Sequence, residues 1–250
     1  MRLKLTCLSF LLTILSASCS HLYEPALYHQ DITYQPKPAS FDSVKTASYL
    51  SAGLNMNPNT NLNDFLISGQ INLSQGYVFN NFNLAYGVFG VLGQYQSDTA
   101  DKNQINYFTD KFFGAAGGRF SANAFTTSGR TDFRFIGVEM AYSHEFGSYS
   151  DFRQRLNILP GFNVDSRTNL FTIGLTSEVY FHNSNNTDFQ HGIRVFLGKT
   201  LGYDKLNTAF YYDQNDNTIF PKVSYFIKIK NIFGSIEAGQ GVFIRVGYKF

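Results

Sequence analysis

The residue types with the clearest catalytic potential are a histidine and a serine two positions apart, His182 and Ser184. A serine hydroxyl becomes a nucleophile when a histidine accepts its proton and a carboxylate orients that histidine. Glu178 precedes the pair, and residues 189–199, which follow it, contain no Asp or Glu. The run 183–188 is rich in Asn, Ser and Asp, which favours a turn and explains these residues without any chemistry.

The sequence His182-Asn183-Ser184-Asn185 resembles the His-x-Ser-Asn motif of lipid A 3-O-deacylases, which are small outer-membrane barrels. This resemblance implies an esterase in which His182 and Ser184 are the catalytic residues. In that family the acid of the triad comes from a following strand, and this chain has none there. We therefore predict that the chain is not an enzyme, and keep the deacylase-like esterase as an alternative hypothesis.

Other sites that bind metals, cofactors or nucleic acids lack their usual signatures in this sequence. The histidines do not have metal-ligand spacing, and the chain has only two cysteines, Cys7 and Cys19. A net charge of +2 is too small to indicate nucleic acid as a partner. We expect no metal, no cofactor and no nucleic-acid partner.

The N-terminus has the composition of an export signal. Arg2 and Lys4 precede an apolar run over residues 8–15, and small residues over 16–18 precede Cys19. This segment resembles a bacterial lipoprotein signal, in which the cysteine is lipidated and becomes the new N-terminus. The resemblance implies a signal peptide over 1–18, lipidation of Cys19, and the lipoprotein-processing machinery as a partner. Ordinary cleavage that leaves a free thiol is the alternative.

A period of two dominates the chain from about residue 46, after a proline-containing stretch that we interpret as a periplasmic tether over 19–44. Aromatic residues make up 17% and charged residues 15% of the chain, and the mean hydropathy is −0.16. Alternate apolar and polar residues with little charge are typical of strands that face lipid on one side. We predict an all-β antiparallel transmembrane β-barrel over 45–250 with about ten strands, although eight or twelve are possible. The predicted strands are 46–56, 64–79, 82–96, 110–125, 132–146, 168–181, 189–199, 218–229, 231–238 and 241–250.

The polar face of these strands is mainly Gly, Ser, Thr, Asn, Gln and Ala, which suits a narrow lumen better than a surface in water. Isolated charges on that face predict a belt of ion pairs at middle depth, because an unpaired buried charge is costly. Glu178 with Arg194, and Lys222 with Glu237, lie at similar distances from their turns, and Arg119 and Glu139 match less closely. The predicted belt comprises Arg119, Glu139, Glu178, Arg194, Lys222, Glu237 and Arg245.

Phe250 ends the last alternating strand, and a terminal aromatic after this pattern resembles the signal that the outer-membrane barrel-assembly machinery recognises. Together with the N-terminus, the chain is similar to small lipidated members of the Gram-negative outer-membrane β-barrel superfamily. This resemblance implies an outer-membrane location in contact with outer-membrane lipid, with the lipid-anchored N-terminus on the periplasmic side.

The first functional hypothesis is a structural or surface-interaction role through long outer loops, including Tyr203, Tyr211 and Tyr212. A narrow pore or uptake channel is the second hypothesis, and the esterase is the third. The loop over 147–167 mixes aromatic residues with arginine. Such a loop either binds a partner outside the barrel or folds over its mouth.

Overall fold

A computed structural model describes residues 22–58, 64–97, 110–159, 163–182, 188–202 and 219–250. Ten antiparallel strands close into a barrel in which each strand pairs with its neighbours in the chain and the last pairs with the first. The strands are β1 Thr46–Pro58, β2 Asp64–Val78, β3 Phe82–Ser97, β4 Lys111–Ser128, β5 Thr131–Phe146, β6 Asn169–His182, β7 Phe189–Thr200, β8 Phe220–Ile229, β9 Ile232–Ala238 and β10 Val242–Lys249.

The predicted fold class is confirmed, and every predicted strand has its counterpart, with ends that differ by at most three residues. The small polar residues and isolated charges of one face also predicted that this face points inward, and the structure agrees. Apolar side chains point outward, with exposed fractions of 62% for Ile71 and 61% for Val88 and Val246, whereas polar side chains of the same strands are buried. No helix in the described part of the chain is long and apolar enough to cross a membrane.

The two ends of the barrel have different connections. We call the end that carries the connections β1–β2, β3–β4, β5–β6, β7–β8 and β9–β10 the long-loop rim. The opposite end, where β1 begins, is the short-turn rim. It includes the two-residue turns Gly129-Arg130 and Lys230-Asn231.

A β-bulge interrupts the alternation of β5. The register with β6 shifts between Arg134 and Gly137, and the successive residues Phe135 and Ile136 both point outward. A bulge of this kind reverses the parity of the strand on one side of it. Arg134 therefore points into the barrel together with Glu139, although the two positions are five apart, an offset that places residues on opposite faces of a regular strand.

Glycines in the wall make room for aromatic rings inside the barrel. A Cβ atom at Gly117 would lie 2.6 Å from the ring of Phe89 and 2.2 Å from the carbonyl oxygen of Tyr142. Replacement of this glycine would displace Phe89. The guanidinium of Arg119 lies over the Phe89 ring, 3.8 Å from its centroid. Close packing at this wall glycine thus positions a charged group of the lumen.

A short helix, α1 over Ser148–Leu156, follows β5 at the long-loop rim. It starts after Gly147, whose φ of +109° favours glycine. The buried residues Tyr149, Phe152 and Leu156 have the spacing of one helical face, and this face packs over the mouth of the barrel. The described part of the loop over 147–167 folds over the mouth, which is one of the two interpretations of this loop.

The stretch that precedes β1 is the largest difference from the sequence interpretation. Residues 23–39, which we call the lumen segment, are all buried and contact residues on the inner face of the barrel. The structure places this segment inside the barrel and not below it, which corrects the tether predicted for 19–44. The signal peptide over 1–18 and Cys19 lie outside the described residues.

Candidate functional site

The lumen segment enters the barrel at the long-loop rim. Leu22 and Tyr23 form a short parallel pairing with Asn163 and Val164, which belong to the connection between β5 and β6. The amide of Asp165 donates to the carbonyl oxygen of Tyr23 at 2.9 Å. The chain is therefore held at this rim by backbone contacts before it descends into the lumen.

Below this entrance, an aromatic cluster fills the upper lumen. Tyr23 packs edge-on against Phe152, with centroids 5.6 Å apart, and Tyr149 stacks on Tyr95 at 4.5 Å. The Tyr149 hydroxyl donates to the carbonyl oxygen of Glu24 at 2.9 Å. The cluster joins the lumen segment to α1 and to the inner wall. Its buried members are Tyr23, Ala26, Leu27, Leu66, Phe89, Val91, Tyr95, Phe113, Ala115, Tyr149, Phe152, Leu156, Val164 and Leu170.

One ion pair lies beside this aromatic cluster. Glu145, near the end of β5, accepts from the amide of Ala26 at 2.7 Å and from the Arg153 guanidinium at 2.6 Å. Arg153 also donates to the carbonyl oxygens of Asp165 and Arg167. The pair therefore ties helix α1 to the lumen segment and to the β5–β6 connection.

At middle depth the contacts become polar. Arg119 donates to the carbonyl oxygen of Asp31 and to Oδ1 of Asn72, the latter at 2.6 Å. The Asp31 carboxylate accepts from the Thr172 hydroxyl at 3.0 Å. Lys222 donates to the carbonyl oxygen of Ile32 at 2.7 Å. Backbone oxygens of the lumen segment thus take the place of water around wall cations.

Glu237 connects the lumen segment to two arginines. Its carboxylate accepts from the amide of Tyr34 at 2.9 Å, and lies 3.5 Å from a guanidinium nitrogen of Arg245 and 3.7 Å from one of Arg194. Arg245 also donates to the carbonyl oxygen of Tyr34, and Arg194 forms a second ion pair with Glu139. The four charged side chains are at least 97% buried, so each depends on its partners for solvation.

Lys37 supplies a cation from the lumen segment itself. Its ammonium lies 2.9 Å from Glu178 and donates to Ser121 and Asn123, both at 2.7 Å. Arg134 completes this group with a nitrogen 2.6 Å from the other oxygen of Glu178. One carboxylate is therefore shared by a wall cation and a lumen-segment cation, and the Lys37, Arg134 and Glu178 side chains are all fully buried.

The chain leaves the lumen at the short-turn rim. The Ser40 amide donates to Asp132 at 2.7 Å, and Asp42 lies 2.9 Å from the ammonium of Lys228 and 3.1 Å from that of Lys249. Burial alone would raise the pKa of Asp42. Lys228, the Gln190 hydrogen bond and Lys249 outweigh that effect and hold the pKa at about 2. Asp42 thus fastens the lower end of the lumen segment, before β1 begins.

The predicted belt residues all lie inside the barrel, but their partners differ from the predicted ones. Glu178 and Arg194 are opposite one another across β6 and β7, yet Glu178 pairs with Lys37 and Arg134, and Arg194 pairs with Glu139. Lys222 donates to the lumen-segment backbone, and Arg119 does so as well. The sequence interpretation did not place the lumen segment inside the barrel. Its contacts with the wall change which charged residues pair with each other.

The remaining predicted site residues lie at the short-turn rim or outside the described residues. His182 ends β6 and its ring lies 4.0 Å from that of Phe41. Ser184 and Cys19 are outside the described residues, so the structure does not test a contact between Ser184 and His182. The Phe250 amide donates to the carbonyl oxygen of Ser48 at 2.9 Å, and its ring packs against Tyr248.

Lys37, Arg134, Glu145 and Arg153 are buried ionic residues that the sequence interpretation missed. Arg134 would have been found by noticing two successive apolar residues, Phe135 and Ile136, which signal a bulge. Lys37 carries no comparable signal, because the segment around it has no periodicity.

Little open space remains where the lumen segment passes the middle of the wall. A cavity beside Tyr34, Gln35 and Arg119 has a volume of about 10 Å³. A space of this size admits roughly one water molecule. At this point of the described structure, the lumen segment therefore leaves little space beside the wall.

No protein-family model matches the chain, and no curated protein matches it. Among solved structures, the transport unit of the autotransporter AIDA-I from Escherichia coli is 8% identical, with 86% of this chain and 93% of that chain covered and a TM-score of 0.39. An outer-membrane channel from Pseudomonas putida F1 is 9% identical, with 86% and 100% covered and a TM-score of 0.39. The outer membrane protein OprG from Pseudomonas aeruginosa is 11% identical, with 82% and 97% covered and a TM-score of 0.34. Similarities of this size assign no function to the chain.

Proposed function

We propose that the chain is an outer-membrane β-barrel lipoprotein with a structural or surface-interaction role, and that its own lumen segment keeps it closed to ions. The observation that carries this proposal is the lumen segment, which contacts the wall from the long-loop rim to Asp42. A barrel that conducts steadily needs a continuous water-filled path, and the segment occupies that path.

The distribution of polarity supports membrane insertion. Charged groups such as Arg194 and Glu237 are buried in the lumen, while Ile71, Val88 and Val246 are among the most exposed wall residues. A soluble barrel would place its apolar face inward and its charges outward. The observed arrangement suits a wall whose outer face meets hydrocarbon.

The proposed surface role is assigned to the loops at one end of the barrel, the long-loop rim. The wall is a rigid scaffold, and binding residues in such folds concentrate on the loops that it holds. The strand ends that the connections over 98–110 and 201–219 join, β3 with β4 and β7 with β8, are at the long-loop rim, and Tyr203, Tyr211 and Tyr212 belong by sequence to the second connection. Residues 98–109 and 203–218 lie outside the described residues, so the proposal places recognition there by elimination of the lumen.

Ion conductance in planar bilayers tests the closed state. The purified native protein is expected to give no steady conductance, because its lumen is filled. A variant in which residues 24–39 are replaced by a Gly/Ser sequence of equal length is expected to conduct, provided that it keeps a boiling-dependent gel mobility shift. Steady conductance of the native protein would contradict the proposal.

The narrow channel remains the second candidate, and one observation favours it. Between Glu24 and Ala39, the described contacts of the lumen segment with the wall involve side chains rather than strand pairing. A segment held in this way can leave as a unit more easily than a paired strand. Voltage-dependent openings in the native protein, absent after the segment is cross-linked to the wall, would establish a gated channel.

The esterase is the weakest candidate. His182 is packed against Phe41 at the short-turn rim, and Glu178, the nearest preceding acid, is engaged with Lys37 and Arg134. Mass spectrometry of lipid A from cells that express the protein or its Ser184→Ala variant is expected to show unchanged acylation in both. Loss of an acyl chain with the native protein alone would establish the enzyme.

A further inference from the structure

The direction in which the lumen segment runs determines where the residues before it emerge. Tyr23 is at the long-loop rim, paired with Val164 and packed against Phe152 of α1. Asp42 is at the opposite rim, next to Lys228 and Lys249. The chain therefore passes down the whole lumen before β1 begins, and its N-terminal side opens at the long-loop rim.

Chain length limits how far Cys19 can lie from that rim. Cys19 is four positions before Tyr23, and four residue steps of extended chain span at most about 14 Å. The apolar band of an outer-membrane barrel is about 25 Å tall. A chain that starts from Tyr23 therefore cannot bring Cys19 to the short-turn rim, even along the outside of the wall. The route back through the lumen is occupied by residues 23–39.

We propose that the mature N-terminus, with any lipid anchor on Cys19, lies on the same side of the membrane as the long loops, which is the cell exterior. This inference rests on the proposed function, since it takes the outer-membrane orientation of the barrel from there. It replaces the periplasmic anchor expected from the sequence. The anchored end thus joins the long loops as part of the exposed surface, available to partners outside the cell.

Single-cysteine labelling in intact cells tests the inference. Cys7 and Cys19 are the only cysteines, and a processed, lipidated chain has no free thiol, so the native protein is the blank. His21→Cys reports on the N-terminus, Asn157→Cys on the long-loop rim and Arg130→Cys on the short-turn rim. Asn157 and Arg130 are exposed. Each variant is exposed to a membrane-impermeant maleimide before and after the outer membrane is permeabilised, and its folding is checked by the boiling-dependent mobility shift.

The expected result is labelling of His21→Cys and Asn157→Cys in intact cells, and of Arg130→Cys only after permeabilisation. If Asn157→Cys reacts in intact cells while His21→Cys needs permeabilisation, the inference is overturned and the barrel orientation stands. If Arg130→Cys reacts in intact cells and Asn157→Cys does not, the orientation is reversed, and the proposed function and the inference fail together.

Discussion

The upper and middle parts of the lumen are filled in different ways. Near the long-loop rim, the lumen segment is covered by the aromatic cluster around Tyr149 and Phe152, whose attraction depends on buried area and has little directionality. At middle depth it passes between buried charges such as Glu178 and Glu237, each of which depends on particular partners. The cluster should tolerate changes of shape, whereas the charges should not tolerate loss of a partner.

Removal of one carboxylate is expected to have the largest effect. Glu178→Gln leaves the buried cations Lys37 and Arg134 without their common counter-charge. Breaking a buried ion pair in this way costs about 3–5 kcal/mol. Urea unfolding of the protein in detergent or lipid vesicles should show this loss in the free energy of unfolding.

Asp110→Asn is the matched control, since Asp110 is exposed at the long-loop rim. Its effect should stay within about 0.5 kcal/mol. If Glu178→Gln and Asp110→Asn are equally mild, the buried network is not a determinant of stability.

Truncation in the aromatic cluster should have a smaller effect. Leu156 is 2% exposed on the inner face of α1, and Leu156→Ala is expected to cost about 2–3 kcal/mol, because the helix can settle onto the cavity. The neighbouring Ile158 is 83% exposed, so Ile158→Ala should change the free energy of unfolding by less than about 0.5 kcal/mol. Equal losses for the two variants would mean that α1 does not cover the mouth.

The charged contacts at the short-turn rim should give a still smaller effect that depends on pH. The pKa of Asp42 is lowered from 3.8 to about 2, so its contribution to stability is complete above pH 4 and disappears as the pH falls through about 2. We expect a loss on the order of 1–2 kcal/mol over that interval. Asp42→Asn should remove this part of the pH dependence. An unchanged pH profile in the variant would show that Asp42 is not held by its lysines.

The strands of the barrel wall were predictable from the sequence, whereas the lumen segment inside the barrel was not. A strand with one face toward lipid repeats every two residues, so β2, β8 and β10 are visible in the sequence as alternation. The lumen segment has no such repeat, because its residues contact separate side chains of the wall. Lys37, for example, contacts residues 84, 86 and 141 positions away.

The predicted ion pairs were wrong for a related physical reason. Glu178 and Arg194 are indeed opposite each other in the sheet, but cross-strand proximity decides pairing only when no better partner is present. Lys37 enters from the lumen segment, and the bulge turns Arg134 inward, so Glu178 is already satisfied. Helix α1 was not predicted because nine residues are too short a window for its helical period to stand out in the sequence.

Disulfide trapping tests most directly whether the lumen segment is inside the barrel. Asp31 and Thr172 contact at 3.0 Å between side-chain oxygens, and Thr172 is buried on the inner face of β6. Phe171 precedes it and points outward. After mild oxidation, the Asp31→Cys/Thr172→Cys protein should form an internal disulfide, seen as a mobility change on a non-reducing gel, and Asp31→Cys/Phe171→Cys should not. If neither pair forms a disulfide in a protein that keeps its boiling-dependent mobility shift, the lumen segment lies outside the barrel and the account is wrong.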